Sequence, residues 1–190
     1  FPLLDRFSAR LKANPIEPDR IIIILTDQSH IFPDNKSDRR KKCPFWQDTC
    51  TVQSLLEKYI SEKFSAVKPE FITLQPELQP EARSKGLDDW DSVLALVSQQ
   101  LAKVVLEDDT IYISHQAGTP AISSALQFVS LGRFGSRVQF LVSNEYEPQE
   151  AEVLASYSYL RGIQIQQAKQ LILDGLPGAA LHLLEGINYS

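Results

Sequence analysis

A run of five consecutive apolar residues, Ile21 to Leu25, constrains the fold of this chain more than any other feature. A strand with one face in water alternates apolar and polar residues, whereas this run has no alternation. Such a strand is covered on both faces, as in parallel sheets. The run ends in a polar cluster, Thr26 to Ser29, at the carboxyl end of the strand, where open α/β sheets bind their ligands.

Three more segments have the composition of strands: Phe71 to Leu74, Ile111 to Ser114 and Val138 to Val142. Between them, apolar residues recur every three or four positions, as in amphipathic helices. Strands that alternate with helices form a parallel sheet with right-handed crossovers. We therefore predict an α/β fold: a doubly wound, Rossmann-like, mostly parallel sheet with helices on both faces and a C-terminal helical linker. The expected strand order is second, first, third, fourth.

Local patterns predict where the helices begin. Asp48 and Thr49 are expected to cap the first crossover helix, and Asp89 favours the start of the second. Trp90 opens an apolar stripe, and we expect it to anchor the core rather than to stack on a ligand. The segment from residue 75 to 89 contains two prolines and a glycine and is expected to be a surface connection.

Three regions are expected along the chain: an N-terminal extension over 1–20, a Rossmann-like α/β domain over 21–160, and the start of a linker over 161–190. Pro148 is predicted to open a helix, and Gly162 to Ile165 alternates like a short strand. Two helices with an apolar face follow. Little chain is left to cover that face, so we expect either a downstream domain or a partner subunit to cover it. Because the chain has no methionine and starts at Phe1, we expect the sequence to be a piece of a longer protein.

The third strand runs into Ser-His-Gln-Ala-Gly-Thr-Pro, residues 114–120. Gly118 tolerates a positive φ, Thr119 is a good N-cap, and Pro120 suits the first position of a helix. Such a loop directs unpaired N–H groups and the positive end of a helix dipole at a ligand, which favours phosphate. The simpler interpretation is that these residues only start a helix.

If the strand order is correct, the winding reverses between the first and third strands, and their two polar loops flank one crevice. A basic segment, Lys36 to Lys42, is either a surface loop or a phosphate clamp. The predicted ligand-binding residues are Thr26, Asp27, Gln28, Ser29, Arg39, Arg40, Ser114, His115, Gln116, Gly118, Thr119 and Asn144.

Composition excludes several classes of protein. The net charge of −5 argues against broad nucleic-acid binding, and the tail has no basic recognition helix for DNA. Cys43 and Cys50 do not have zinc-site spacing, so neither a metal nor a cofactor is expected. The chain lacks Gly-x-Gly-x-x-Gly and Walker motifs, which argues against an ordinary nucleotide enzyme. It has no apolar run of membrane length, and a cytoplasmic location is expected.

The polar loops resemble those of a known family. The buried strand ending in Thr-Asp-Gln, the basic segment, Asp48-Thr49 and the Ser-His-Gln-Ala-Gly-Thr-Pro loop resemble the CARF domain (CRISPR-associated Rossmann fold). The resemblance is to the sensor domains of Csm/Csx-type ancillary ribonucleases in type III CRISPR antiviral defence. The tail from Leu171 to Leu184 also resembles the helical linker that follows this sensor.

The resemblance implies a function. Such sensors bind cyclic tetra- or hexa-adenylate in a cleft shared by a homodimer and allosterically activate a downstream ribonuclease, commonly of the HEPN type. Thr26 to Ser29 would lie on one side of the cleft, and His115, Gln116, Gly118 and Thr119 on the other. The HEPN motif of Arg followed by His is missing, so this chain is expected to lack that ribonuclease activity. Ala117, where many relatives have a second glycine, leaves the ring size open.

A second function stays open on the same resemblance. Some relatives are ring nucleases, which cleave the cyclic oligoadenylate themselves without a metal. A ribose 2′-hydroxyl would attack the adjacent phosphate, with His115 as general acid or base. Because no second catalytic partner is visible in the sequence, we favour a ligand-binding or loop-capping role for His115.

Overall fold

The structure, a computed structural model, describes residues 2–31, 48–77, 86–143 and 151–185. Within these ranges, six α-helices and five β-strands mostly alternate along the chain. In order they are α1 (Pro2–Ala13), β1 (Ile22–Thr26), α2 (Gln53–Lys63), β2 (Glu70–Leu74), α3 (Trp90–Val104), β3 (Ile111–Ile113), α4 (Pro120–Phe134), β4 (Val138–Ser143), β5 (Ala151–Ala155), α5 (Tyr157–Leu173) and α6 (Pro177–Glu185).

The sheet is mostly parallel, as predicted. β1 pairs with β2 and β3 with β4 in parallel, while β5 adds to β4 as an antiparallel strand. Among the described residues, no ladder of hydrogen bonds joins β1 to β3. The described strands thus form two ladders, and the predicted neighbourhood of β1 and β3, where the winding would reverse, stays a prediction.

Helices cover both faces of the sheet. On one face α3 and α4 pack on all four parallel strands, and the most buried residues of this cluster are Leu74, Val93, Val97 and Val138. One apolar cluster thus contains residues of both ladders, β1–β2 and β3–β4. On the other face, Phe7 of α1 packs with residues of β4 and β5. The N-terminal segment is therefore part of the layered fold, because it covers sheet surface that the crossover helices leave open.

The prediction for the C-terminal part was wrong in two places. Residues 151–155 form strand β5 instead of a helix that begins at Pro148, and Gly162 to Ile165 lie inside α5 instead of forming a strand. β5 gains a full set of antiparallel pairings with β4, from Gln139–Ala155 to Ser143–Ala151. The alternation of apolar and polar residues over 162–165 is too short to form a strand, because the helical pattern around it continues to Leu173.

Two predictions around α3 were also wrong. Trp90 is 56% exposed instead of anchoring the core, because the buried stripe of α3 begins one turn later, at Val93. Leu87 is buried, with 3% of its surface exposed, although it lies in the predicted surface connection. The second crossover helix does begin as predicted, with Asp89 accepting a hydrogen bond from the backbone N–H of Ser92 (3.1 Å).

The tail forms the predicted helix pair. α5 and α6 pack against each other, with Ala180 of α6 buried, while Ile172, Leu173, Leu176 and Leu181 are exposed. Neither these helices nor any other in the described part of the chain is long and apolar enough to cross a bilayer.

Two buried serines differ in whether their hydroxyl groups have hydrogen-bond partners. Ser130 and Ser156 are both at most 1% exposed, but only the hydroxyl of Ser156 has a described partner, the carbonyl oxygen of Gly135 at 3.0 Å. Ser156→Ala should lower the free energy of unfolding by about 1 kcal/mol, whereas Ser130→Ala should leave it unchanged or raise it, because it removes an unsatisfied polar group. Urea denaturation measures both. Equal losses in the two variants would contradict this assignment.

Candidate functional site

The loop after β1 is fixed to the start of the first crossover. The backbone N–H of Thr26 donates to the hydroxyl of Thr49 (2.9 Å), and the N–H of Thr49 donates to the hydroxyl of Thr26 (3.0 Å). The prediction that Thr49 caps the helix was wrong: residues 49–52 form one 3₁₀ turn ahead of α2, and the Thr49 side chain holds the strand end instead.

Gln28 and Asp48 form a buried polar pair inside this loop. The carboxylate of Asp48 accepts hydrogen bonds from the backbone N–H of Gln28 (2.7 Å) and from its side-chain amide (3.0 Å). The amide oxygen of Gln28 in turn accepts from the backbone N–H of Leu87 (2.8 Å). Asp48 makes no cap with its side chain, contrary to the prediction, because its carboxylate is used to hold Gln28.

Leu87 joins the two predicted loops. Its N–H binds Gln28, in the loop after β1, and its carbonyl oxygen accepts from the hydroxyl of Thr119 (3.2 Å), in the loop after β3. One residue between β2 and α3 therefore binds both loops. The sequence analysis expected this residue on the surface, and that these loops form a ligand site stays a prediction.

The start of α4 has the geometry that the sequence predicts. Thr119 is the N-cap and accepts from the backbone N–H of Ile122 (3.3 Å), with Pro120 in the first turn. Gly118 is exposed and has a φ of 148°, a conformation that L side chains rarely adopt. The N-terminal end of α4 therefore presents the positive end of the helix dipole and the N–H of Ala121 beside an exposed glycine, because Pro120 has no N–H and the N–H of Ile122 is used by the cap.

His115 faces α4. The amide nitrogen of Gln127 lies 2.8 Å from Nδ1 and 2.9 Å from Nε2, and the hydroxyl of Ser123 lies 3.2 Å from Nδ1. The ring also packs edge-on against Phe140, with 5.5 Å between centroids. Burial lowers the pKa of His115, so the neutral imidazole is favoured.

Gln116 holds the loop to the end of β4. Its side-chain amide donates to the carbonyl oxygen of Ser143 (3.1 Å) and accepts from the N–H of Ser143 (2.7 Å). The hydroxyl of Ser143 accepts from the guanidinium of Arg6 in α1 (2.9 Å). The amide of Gln116 thus continues the ladder of the sheet and serves to position the loop.

Asp27 is satisfied within its own loop and the neighbouring strand end. Its carboxylate accepts from the N–H of Ser29 (3.0 Å) and from the amide of Gln75 (3.1 Å). Partial burial raises the pKa of Asp27, but these hydrogen bonds outweigh burial, so the pKa lies below its usual value. Asp27 is therefore an anion at neutral pH. His30, three residues after Asp27, donates from Nε2 to the carbonyl oxygen of Pro76.

Most of the predicted site residues are at this edge of the sheet. Ser114 directly follows β3. Arg39, Arg40 and Asn144 lie outside the described residues and stay predictions. No group of three His, Cys, Asp or Glu side chains in the described ranges has the arrangement of a metal site.

Sequence reasoning missed four contributors to the site. Ser123 and Gln127 were not predicted as site residues, although their spacing of four places them on one face of α4, toward His115. Leu87 acts through its backbone, which the identity of its side chain does not reveal. Arg6 reaches the site from a segment that the sequence places in an extension.

No protein-family model matches this chain, and no curated protein sequence matches it. Its structure is similar to that of Enterococcus italicus Csm6 bound to cyclic hexa-2′-fluoro-hexa-dAMP, with a TM-score of 0.63 and 16% sequence identity. The match covers 96% of this chain and 44% of the Csm6 chain, so this chain spans less than half of that protein. The likeness shows a shared fold and confirms the Rossmann-like architecture.

The buried pair of Asp48 and Gln28 should be essential for the loop after β1. Asp48→Ala leaves two buried donors of Gln28 unsatisfied and should lower the free energy of unfolding by about 2 kcal/mol or more. Asp88→Ala, at an exposed carboxylate close to the same site, is the matched control and should change it by less than about 0.5 kcal/mol. Similar urea midpoints for the two variants would show that the pair does not stabilise the loop.

His115 should titrate below the ordinary histidine value. An NMR titration of the ring resonances should give a midpoint below 6.5 in the folded protein and an ordinary one in urea. Because the pKa of His115 is lower in the folded state than in the unfolded state, this residue leaves the free energy of unfolding at its full value above the unfolded-state pKa. That contribution is lost as the pH falls through the folded-state pKa. A folded midpoint at or above 6.5 would contradict burial as the dominant influence.

Proposed function

We propose that this chain is a CARF-type sensor domain that binds a cyclic tetra- or hexa-adenylate at the carboxyl edge of its sheet. The observation that carries the proposal is the bridge through Leu87, which brings the loop after β1 and the start of α4 to one site. The shared fold with a Csm6 that holds a cyclic hexa-adenylate analogue supports the choice of ligand.

The start of α4 suits the phosphates of such a ligand. The positive end of the helix dipole favours anions, and the N–H of Ala121 remains as a donor in the first turn beside the Ile122 N–H that Thr119 caps. Gly118 has no side chain, so a phosphate can approach the backbone closely. Thr119 uses its hydroxyl on Leu87 and Ile122, and its role toward the ligand is to position the turn.

A cyclic oligoadenylate has rotational symmetry, which an isologous dimer can match by presenting the same site twice. An exposed apolar patch lies between α3 and α4 and includes Leu94 and Phe128, which are 41% and 67% exposed. Trp90, which is also exposed, precedes Leu94 by one turn of α3. We propose that a second copy of this chain covers this patch and completes the cleft.

The signal would leave the domain through the C-terminal helices. α5 and α6 expose Ile172, Leu173, Leu176 and Leu181, an apolar surface suited to contact with a further domain. In this proposal, ligand binding shifts the dimer toward a state that activates a downstream ribonuclease of the HEPN type, in the cytoplasm of a cell with type III CRISPR defence.

Ring cleavage at the same site is the second candidate function. A general acid or base must reach the reacting oxygen with a ring nitrogen. Gln127 and Ser123 hold the His115 ring against α4, although the single Gln127 amide nitrogen can bond only one of the two ring nitrogens, and this contact favours a binding or positioning role for the histidine. Linear products that form with the wild type and disappear with His115→Ala would select cleavage, whereas an intact ring selects the sensor.

Thr119 offers a direct test of the bridge. Thr119→Val removes the bond to Leu87 and the cap, and should weaken binding of the preferred ring by at least about tenfold, or ~1.4 kcal/mol. Thr119→Ser keeps the hydroxyl and should retain affinity. Isothermal titration calorimetry with cyclic tetra- and hexa-adenylate measures both. A lower melting temperature in Thr119→Val with wild-type affinity would limit Thr119 to a structural role.

The dimer can be tested at the centre of the patch. Phe128→Glu places a charge in the proposed contact and should shift the protein toward a monomer in sedimentation equilibrium. The control is Leu106→Glu, in the turn before β3, where the leucine is 60% exposed against 67% for Phe128; this variant should remain a dimer. A monomeric wild type, or a dimeric Phe128→Glu variant, would contradict this interface.

A further inference from the structure

The N-terminal helix brings a positive charge to the site. The guanidinium of Arg6 donates to the hydroxyl of Ser143 (2.9 Å), and the backbone of Ser143 is the group that the Gln116 amide binds through two hydrogen bonds. Arg6 is therefore linked to the loop before α4 through one residue, Ser143, which binds both Arg6 and Gln116. A guanidinium has five N–H donors, and the bond to Ser143 uses one of them.

The site needs such a charge. The loops over residues 26–29 and 114–119 contain neither Lys nor Arg, and Asp27 contributes a negative charge. His115 is held neutral by burial. A cyclic hexa-adenylate carries one negative charge for each phosphate, whereas a helix end supplies only about half a charge. Arg39 and Arg40, the cations predicted for the site, lie outside the described residues.

Contacts of residues other than Arg6 hold α1 in place. Phe7 packs with Leu141 and Ala151 in the cluster under α1. The carboxylate of Asp5 accepts a hydrogen bond from the hydroxyl of Tyr59 (2.7 Å) and lies 3.3 Å from the ammonium of Lys63. Replacing the guanidinium therefore leaves the position of α1 largely determined by other contacts.

We infer that Arg6 is a phosphate-binding residue of the cyclic oligoadenylate site, so that the N-terminal helix forms part of the sensor's ligand cleft. This inference rests on the proposed function. It adds a ligand contact from a segment outside both polar loops. Arginine suits this role because its planar donors match the oxygens of a phosphate in a bidentate arrangement.

The salt dependence of affinity distinguishes a phosphate contact from a structural role. Each cation that neutralises a phosphate of a single strand contributes about −0.7 to the slope of log K against log salt concentration. We would measure calorimetric affinities for cyclic tetra- and hexa-adenylate from about 50 to about 200 mM KCl. The variants are Arg6→Gln, Arg6→Lys and the control Arg133→Gln, at an exposed arginine in the last turn of α4.

Arg6→Gln should weaken binding by about tenfold or more at low salt and make the slope shallower by about 0.7 for each site. Arg6→Lys should keep the slope, and Arg133→Gln should match the wild type. An unchanged slope in Arg6→Gln, beside a wild type that binds, would overturn this inference and leave the proposed function in place. A wild type that binds neither ring would overturn both.

A measurement on the unmodified protein covers the case in which Arg6→Gln does not fold. The Nε–Hε resonance of Arg6 should shift when the wild type is titrated with the ring it binds, while the resonance of Arg133 stays in place. An Arg6 resonance that does not move at saturation would overturn the inference.

Discussion

Two hydrogen bonds to one residue, Leu87, hold the candidate site together. The N–H of Leu87 binds Gln28 and its carbonyl oxygen binds Thr119, so the loops after β1 and β3 are fixed relative to each other. Leu87 is buried, and its side chain belongs to the main apolar cluster. Breaking this bridge would therefore leave polar groups unsatisfied in a place that water does not easily reach.

The bridge determines what the site can do chemically. Gln28, Gln116 and Thr119 use their side chains on neighbouring backbone groups, and His115 uses its ring on α4. In the proposed site a ligand would therefore meet a rigid surface at the start of α4, where the helix dipole and the exposed backbone of Gly118 face it, with charge supplied from other segments. Such a surface suits phosphates held in a fixed arrangement, because little side-chain entropy is lost on binding.

The sequence predicts the strands and the site loops well because their signals are local. The unbroken apolar run at Ile21 to Leu25 and the Gly-Thr-Pro turn each determine their own conformation. The failures lie where distant residues decide. Residues 151–155 form a strand because β4 has an edge with which they can pair. Trp90 is exposed because the buried face of α3 begins at Val93. The bridge uses the backbone of Leu87, which no side-chain pattern shows.

The central claim is that two copies of this site bind one cyclic oligoadenylate. Isothermal titration calorimetry of the wild type with cyclic tetra-adenylate, cyclic hexa-adenylate and linear hexa-adenylate tests this claim most directly. We expect one of the two rings to bind at one ring for every two chains, more tightly than the linear form. Absence of binding, or equal affinity for the linear form, would contradict the account.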